Sequence, residues 1–271
     1  MEEEARITQI SALDIIYVPD HSGLTLKPSE SEFSDLIRYV EITYAEHWAT
    51  HGGILVIPPT PLKENQSLVE QLNQLKVNPN KQVYRPPANN TVGVHLVEEE
   101  REEEDEDERR SGSVCNLYQI LFSKYLLVSE EKLNIPGIDT VELFIGEAGS
   151  LTGWHVEDLN FGSVNYLVSG KPKMWVEISY KYQNQVRALM KLSYTDNLYP
   201  DKHKTMVLLP QELLLANIPF RTLKQLPGDH VITLPVGLHF VINSGSNIAE
   251  ATNYVSEDWV EHRKTFPRGN A

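Results

Sequence analysis

Apolar positions in this chain recur with two different periods. Phe33, Leu36, Ile37, Val40 and Tyr44 return at helical spacing and draw one stripe along a helix face. Ser29 and Glu32 stand at the head of that stripe in the Ser-x-x-Glu pattern that caps a helix N-terminus. Gly52 and Gly53 end it, and Ile54-Leu55-Val56-Ile57 then reads as a buried strand stopped by Pro58 and Pro59. Further helices are expected near Ser67–Leu75, over 114–133, at Tyr182–Lys191 and at Pro210–Ala216. The rest of the ordered pattern has the period of a strand. Strand candidates are Ile15–Val18, Val141–Gly146, stretches near 152–158, 161–168 and 173–178, then Met206–Leu209, Val231–Leu234, His239–Asn243 and Ala249–Tyr254. Many short strands with few helices between them indicate a mainly β core. Residues 61–97, with Pro61, Pro79, Pro86 and Pro87, read as one short helix and an irregular connection.

Composition narrows the reading. Apolar residues make up 41% of 271, enough for a sizeable core, and no apolar run reaches the length of a membrane span. The opening Met-Glu-Glu-Glu-Ala-Arg lacks the basic-then-apolar pattern of a secretory leader. The single cysteine, Cys115, excludes an internal disulfide and a multi-cysteine zinc site, which fits a reducing compartment. The net charge of −14 argues against direct contact with nucleic acid and is compatible with a basic partner. Half of it lies in one run, Glu98 to Arg110, where ten acidic and three basic residues read as a self-repelling loop.

Candidate chemistry sits between Trp154 and Trp175. His155 and Glu157 stand two apart, and on a strand residues i and i+2 share a face. An imidazole and a carboxylate turned to one point are two thirds of a 2-His-1-carboxylate facial triad, the ligand set of non-haem Fe(II) oxygenases. His239, in Gly-Leu-His-Phe-Val-Ile-Asn, is the candidate third ligand. Taken bare, His-x-Glu is more often a pair of surface polar residues, and His239 alone is better read as a core histidine bonded to backbone. The neighbours add the rest: Asn165-Tyr166-Leu167, then Gly170-Lys171-Pro172-Lys173-Met174-Trp175, with His239 84 residues after His155.

This block resembles the JmjC domain of Fe(II)- and 2-oxoglutarate-dependent histone lysine demethylases, which carries His-x-Glu-Asp, Asn-Tyr-Leu and Gly-x-Pro-Lys-x-Trp in that order. Pro235–His239 through Asn247–Tyr254 looks like the strand pair of the same family that holds the last ligand. Lys27-Pro28-Ser29, Glu32-Phe33, Tyr39-Val40 and Val56-Ile57-Pro58-Pro59 look like the JmjN segment that precedes JmjC in one subgroup. The resemblance implies a double-stranded β-helix, a cupin-like jelly roll, braced by a JmjN-like helix and strand. It divides the chain into a JmjN-like segment (1–60), a connector with the acidic loop at 98–110 (61–113) and a JmjC catalytic domain (114–271).

It also implies roles. His155, Glu157 and His239 are the expected Fe(II) ligands and catalytic centre. Lys173 is expected to neutralise the distal carboxylate of 2-oxoglutarate, with Asn165 and Trp175 beside the cosubstrate. Phe144, Ala251, Thr252 and Asn253 are expected at the methyl-lysine site. Phe144 and Ala251 stand where the family has tyrosine and serine, and Cys115 where it has the tyrosine that binds the distal carboxylate; Tyr118 is a weaker substitute for it. His203 matches a zinc-ligand position of related demethylases without its cysteines and reads as a surface residue, while His230 reads as structural. The implied activity is a dioxygenase using Fe(II), 2-oxoglutarate and O2. It hydroxylates an N-methyl group with release of formaldehyde, on a methylated histone tail or other methylated protein, in the nucleus. Two alternatives stay open: a JmjC hydroxylase of another side chain, and a non-catalytic JmjC chromatin-interaction module.

Overall fold

The computed structural model describes residues 18–44, 49–60, 81–85, 94–100, 141–193, 204, 206–255 and 259. The expected helices at 67–75 and 114–133, Ile15–Tyr17, Cys115, Tyr118, His203 and residues 101–110 of the acidic run lie outside the described residues.

The fold is mainly β, a double-stranded β-helix built from two sheets that face each other. The larger holds six strands: β1 (Thr25–Leu26), β2 (Gly53–Val56), β5 (Glu142–Gly146), β7 (Gly162–Gly170), β11 (His230–Thr233) and β13 (Asn247–Tyr254). Their spatial order is β1-β2-β11-β7-β13-β5. The smaller holds β6 (Leu151–His155), β8 (Lys173–Ile178), β10 (Arg221–Gln225) and β12 (Leu238–Asn243), in the order β10-β8-β12-β6. A third sheet joins β3 (Lys81–Arg85), β4 (Val94–Glu100) and β9 (Met206–Val207).

Three apolar clusters follow from strand alternation. Leu55 and Val231 of the larger sheet meet Trp175, Leu223 and Val241 of the smaller, and these line the space between the sheets. The outer face of the smaller sheet, with Met174, Val176, Leu238, Phe240 and Ile242, is covered by α3 (Gln183–Ser193) and α4 (Pro210–Leu215) through Val186, Met190 and Leu213. The outer face of the larger sheet, with Val164, Tyr166, Val168 and Ile232, is covered by the N-terminal helices α1 (Glu30–Phe33) and α2 (Leu36–Tyr44) through Phe33, Leu36, Ile37 and Val40. β8 is therefore buried on both faces along its whole length.

The capping box forms as the sequence predicts: Ser29 N–H donates to Glu32 Oε2 at 2.7 Å, and Ser29 Oγ accepts from Glu32 N–H at 3.4 Å. The helix it begins is not continuous, however, since a turn at Ser34–Asp35 splits it before the apolar stripe resumes. Two corrections are larger. Residues 81–85 and 94–100, read as connector and as the start of an acidic loop, are paired strands, with Glu98, Glu99 and Glu100 in register with Val83, Gln82 and Lys81. Each residue carries a backbone donor and acceptor whatever its side chain, so an acidic sequence does not exclude a strand. β10 is the other: Arg-Thr-Leu-Lys-Gln carries one strong apolar residue, too few for an alternation signal, yet it pairs with β8 along its full length.

Candidate metal centre

β12 brings the two histidines together. His239 is the cross-strand partner of His155 on β6, and the ring centroids lie 4.3 Å apart at 59°. β6 ends at His155, so Glu157 lies just past the strand in extended backbone (φ −58°, ψ 151°). Each residue offers one ligand atom to a group whose members all lie within 4.8 Å of one another. Both histidines are buried, at 6% and 2% exposure.

Both tautomers follow from hydrogen bonding. His155 Nδ1 donates to Gly153 O at 2.8 Å, and His239 Nδ1 donates to Gly237 O at 3.1 Å. A carbonyl only accepts, so Nδ1 carries a proton in both rings and Nε2 is the nitrogen left for a ligand. Burial, then the neighbouring His239, lowers the pKa of His155 to about 3, so its ring stays neutral. Glu157 behaves in the opposite sense. Burial alone would raise its pKa, but His239, His155 and the hydroxyl of Ser163 outweigh that and hold the carboxyl below the ordinary carboxylate range. His239 Nε2 and Glu157 Oε1 lie 3.4 Å apart. An octahedral ion with bonds of about 2.1 Å sets adjacent ligands about 3 Å apart. The donor set fits a divalent transition metal.

The carboxylate is oriented by residues that sequence reasoning passed over. Ser163 Oγ donates to Glu157 Oε1 at 2.6 Å, and Thr233 Oγ1 lies 2.7 Å from Ser163 Oγ and 3.5 Å from the same carboxylate oxygen. Such partners fix ligand geometry. Backbone strain flanks the centre. Leu159 and Asn160, just after Glu157, have φ of 55° and 58°, and the β-branched Val236, three residues before His239, has φ of 61°. The N-terminal segment reaches the same corner. Gly52 O accepts from Leu234 N at 2.9 Å, Gly52 N donates to Glu177, and a Cβ on Gly237 would collide with the Gly52 backbone. Glu177 is the β8 partner of His239, and burial pushes its carboxyl up to about 8.

The remaining expected residues divide by face. Lys173 and Trp175 alternate with the outward Met174 and Val176, so they point between the sheets along with Asn243, the β12 partner of Lys173. Lys173 is 5% exposed; its Nζ donates to Asn243 Oδ1 at 2.8 Å, and burial lowers its pKa to about 8. Trp175 lies 5.8 Å from the His239 ring, centroid to centroid. Asn165 on β7 is paired with Ala251, and Ser163 with Asn253, so these four share the inner face of the larger sheet. Thr252 is paired with Val164 and is turned to the opposite, outer face, away from Ala251. Phe144, on the edge strand β5, is 43% exposed. Asn243 and Gln225 also went unnoticed in the sequence. The available signal for Asn243 was its place four residues after His239, on the same strand face; Gln225 carried none, since its strand was not expected.

Residues 142–254 match the family model described as "JmjC domain, hydroxylase". This segment is a JmjC domain. It contains the three metal-centre residues and the expected cosubstrate and substrate residues, from Phe144 to Asn253. Relatives that align with about half to nine tenths of this chain agree with it. Lysine-specific demethylase 4D of Rattus norvegicus is 27% identical over 299 residues, which cover 91% of this chain and 57% of that protein. Probable lysine-specific demethylase 4F of Homo sapiens is 31% identical over 143 residues, 51% of this chain and 22% of the relative. Lysine-specific demethylase ELF6 of Arabidopsis thaliana is 32% identical over 161 residues, 57% of this chain and 12% of the relative. The chain spans little more than half the length of the first of these relatives and far less of the others.

Proposed function

We propose that this chain is an Fe(II)- and 2-oxoglutarate-dependent dioxygenase that demethylates lysine in a histone tail or another methylated protein. The observation that carries the reading is the convergence of three ligand atoms, His155 Nε2, Glu157 Oε1 and His239 Nε2, in a buried corner of a JmjC domain. Iron bound there supplies, with 2-oxoglutarate and O2, the oxidising power that hydroxylates a C–H bond. The chain's own residues do the positioning. Gly153 and Gly237 turn the two imidazoles, and Ser163 and Thr233 aim the carboxylate. Lys173 meets the distal carboxylate of the cosubstrate, since an anion entering a dry cavity needs a cation there. Asn165 and Trp175 flank it. Phe144 offers its ring face to the methylammonium group. Ala251 and Asn253 line the neighbouring wall, and Thr252, on the outer face, supports the strand. A hydroxylated N-methyl group is a hemiaminal and collapses to the amine and formaldehyde.

In this reading residues 1–60 act as a JmjN-like brace, the connector (61–113) leads to the catalytic domain (114–271), and the protein works in the nucleus. The acidic net charge suits a basic tail. A second reading, hydroxylation of another side chain, draws on Phe144 and Ala251, which leave the substrate mouth without the hydroxyls of the tyrosine and serine that the resemblance expects there. One assay separates the readings. The protein is loaded with Fe(II), 2-oxoglutarate and methylated histone peptides, and succinate and formaldehyde are measured together. Both products support demethylation. Succinate with a peptide gaining one oxygen supports hydroxylation. Neither product from any peptide, with no uncoupled succinate, overturns both.

A further inference from the structure

A hydrogen-bonded chain crosses the space between the two sheets, and its polarity is set at one end. Trp175 Nε1 lies 2.9 Å from Gln225 Oε1. An indole N–H can only donate, so the Gln225 atom facing it must be the carboxamide oxygen. Gln225 Nε2 is thereby turned to the larger sheet, where it lies 3.1 Å from Asn165 O, 3.1 Å from Asn165 Oδ1 and 3.2 Å from Asp229 O. Two protons meet three acceptors. The Asn165 side-chain atom in this contact must in turn be oxygen, because a reversed carboxamide would set NH2 against NH2 at 3.1 Å. Gln225 is fully buried, and Trp175 and Asn165 nearly so, where a mismatched polar pair is costly. Three side chains from β8, β10 and β7 thus share one orientation.

We infer that Gln225 is a positioning residue that fixes Asn165 with its Nδ2 as the donor left for a ligand between the sheets, so that the ligand must present an oxygen acceptor at that point. Asn165 Nδ2 has no protein partner among the described residues. Lys173 Nζ, on the same inner surface, is a donor with a single partner, Asn243 Oδ1. Two such donors on one inner surface favour an acceptor-rich anion. An ammonium group at the Asn165 position would meet N–H against N–H. The ligand assignment rests on the proposed use of 2-oxoglutarate; the orientation of Asn165 does not.

The test uses the whole chain loaded with Ni(II) in place of iron. Gln225→Glu keeps the length of the side chain and the acceptor for Trp175. It replaces the donor with a carboxylate facing Asn165 Oδ1, which favours the reversed carboxamide. The expected result is a 2-oxoglutarate dissociation constant raised about tenfold or more, with Ni(II) affinity unchanged. In the Asn165→Ala background the same substitution is expected to change it by less than about twofold, because the donor it misdirects is gone. A purely structural Gln225 would instead weaken metal and cosubstrate together, additively with Asn165→Ala, and that result overturns the inference. So does 2-oxoglutarate affinity within about threefold of wild type. Orientation is read separately by NMR of the unliganded protein. The Gln225 Nε2 protons and the Trp175 indole proton should exchange slowly, and the Asn165 Nδ2 protons quickly. The reverse order overturns the inference on its own. Failure of the proposed function shows differently, as no 2-oxoglutarate binding by the wild type with the exchange pattern intact.

Discussion

His155 faces His239 directly across the β6–β12 ladder, and a glycine carbonyl two residues before each ring turns its Nε2 into the gap between them. The pair is thus preorganised by strand pairing and by two backbone hydrogen bonds.

Removal of one ring should therefore remove the metal and little else. His155→Ala is expected to lower Fe(II) or Ni(II) affinity by about 100-fold or more, and Ser163→Ala by about 10- to 100-fold through misorientation of Glu157. Succinate formation should vanish in the first variant. Titration calorimetry alongside circular dichroism checks both. Metal binding within threefold of wild type in His155→Ala would place the site elsewhere.

Lys173 should govern the cosubstrate alone. Losing the partner of a buried carboxylate costs about 2–5 kcal/mol, roughly 30- to 4,000-fold in affinity. Lys173→Ala should show that loss with metal binding retained. The lysine is charged below its depressed value of about 8. Affinity for 2-oxoglutarate should accordingly fall as pH rises through that region, and Lys173→Arg should flatten the profile. A profile for wild type that is level from pH 7 to 9.5 would remove the lysine from the site.

His230 should make the fold acid-sensitive. It sits between Tyr166, at 4.7 Å, and Phe33, at 5.4 Å, with no hydrogen bond to either ring nitrogen among the described residues, and burial lowers its pKa to about 3. A histidine that is neutral when folded and free to protonate when unfolded contributes stability above about pH 6.5. That stability is lost at about 1.4 kcal/mol per pH unit as pH falls toward the folded-state value. Urea midpoints at pH 7 and 5 should diverge more for wild type than for His230→Phe. Equal divergence would show that the ring is not the cause.

The N-terminal helices should melt with the barrel. Leu36 and Ile37 are 1% and 2% exposed on the outer face of the larger sheet. Leu36→Ala is expected to cost about 2–5 kcal/mol and to lower one shared transition. Two separated transitions by calorimetry, with the later one unmoved, would mean that the brace is an independent unit.

Some of this was legible in the chain because it is local. The capping of Ser29 by Glu32 depends on residues three apart, the same-face placement of Lys173 with Trp175 on alternation alone, and the His155–Glu157 pair on a spacing of two residues. Each can be read without knowing what lies across the fold. What the neighbours would be was not legible. Alternation places Asn165 on the inner face but says nothing of Gln225, which reaches it from the other sheet on a strand with a single strong apolar residue. Ser163 and Thr233 reach Glu157 only because β7 and β11 are in register at those residues. The same dependence put Glu98–Glu100 into a ladder and turned Thr252 away from Ala251. Period and spacing act along the chain, where covalent geometry sets them. Register, hydrogen-bond polarity and the meeting of His239 with His155 act across it, and long-range pairing alone decides them.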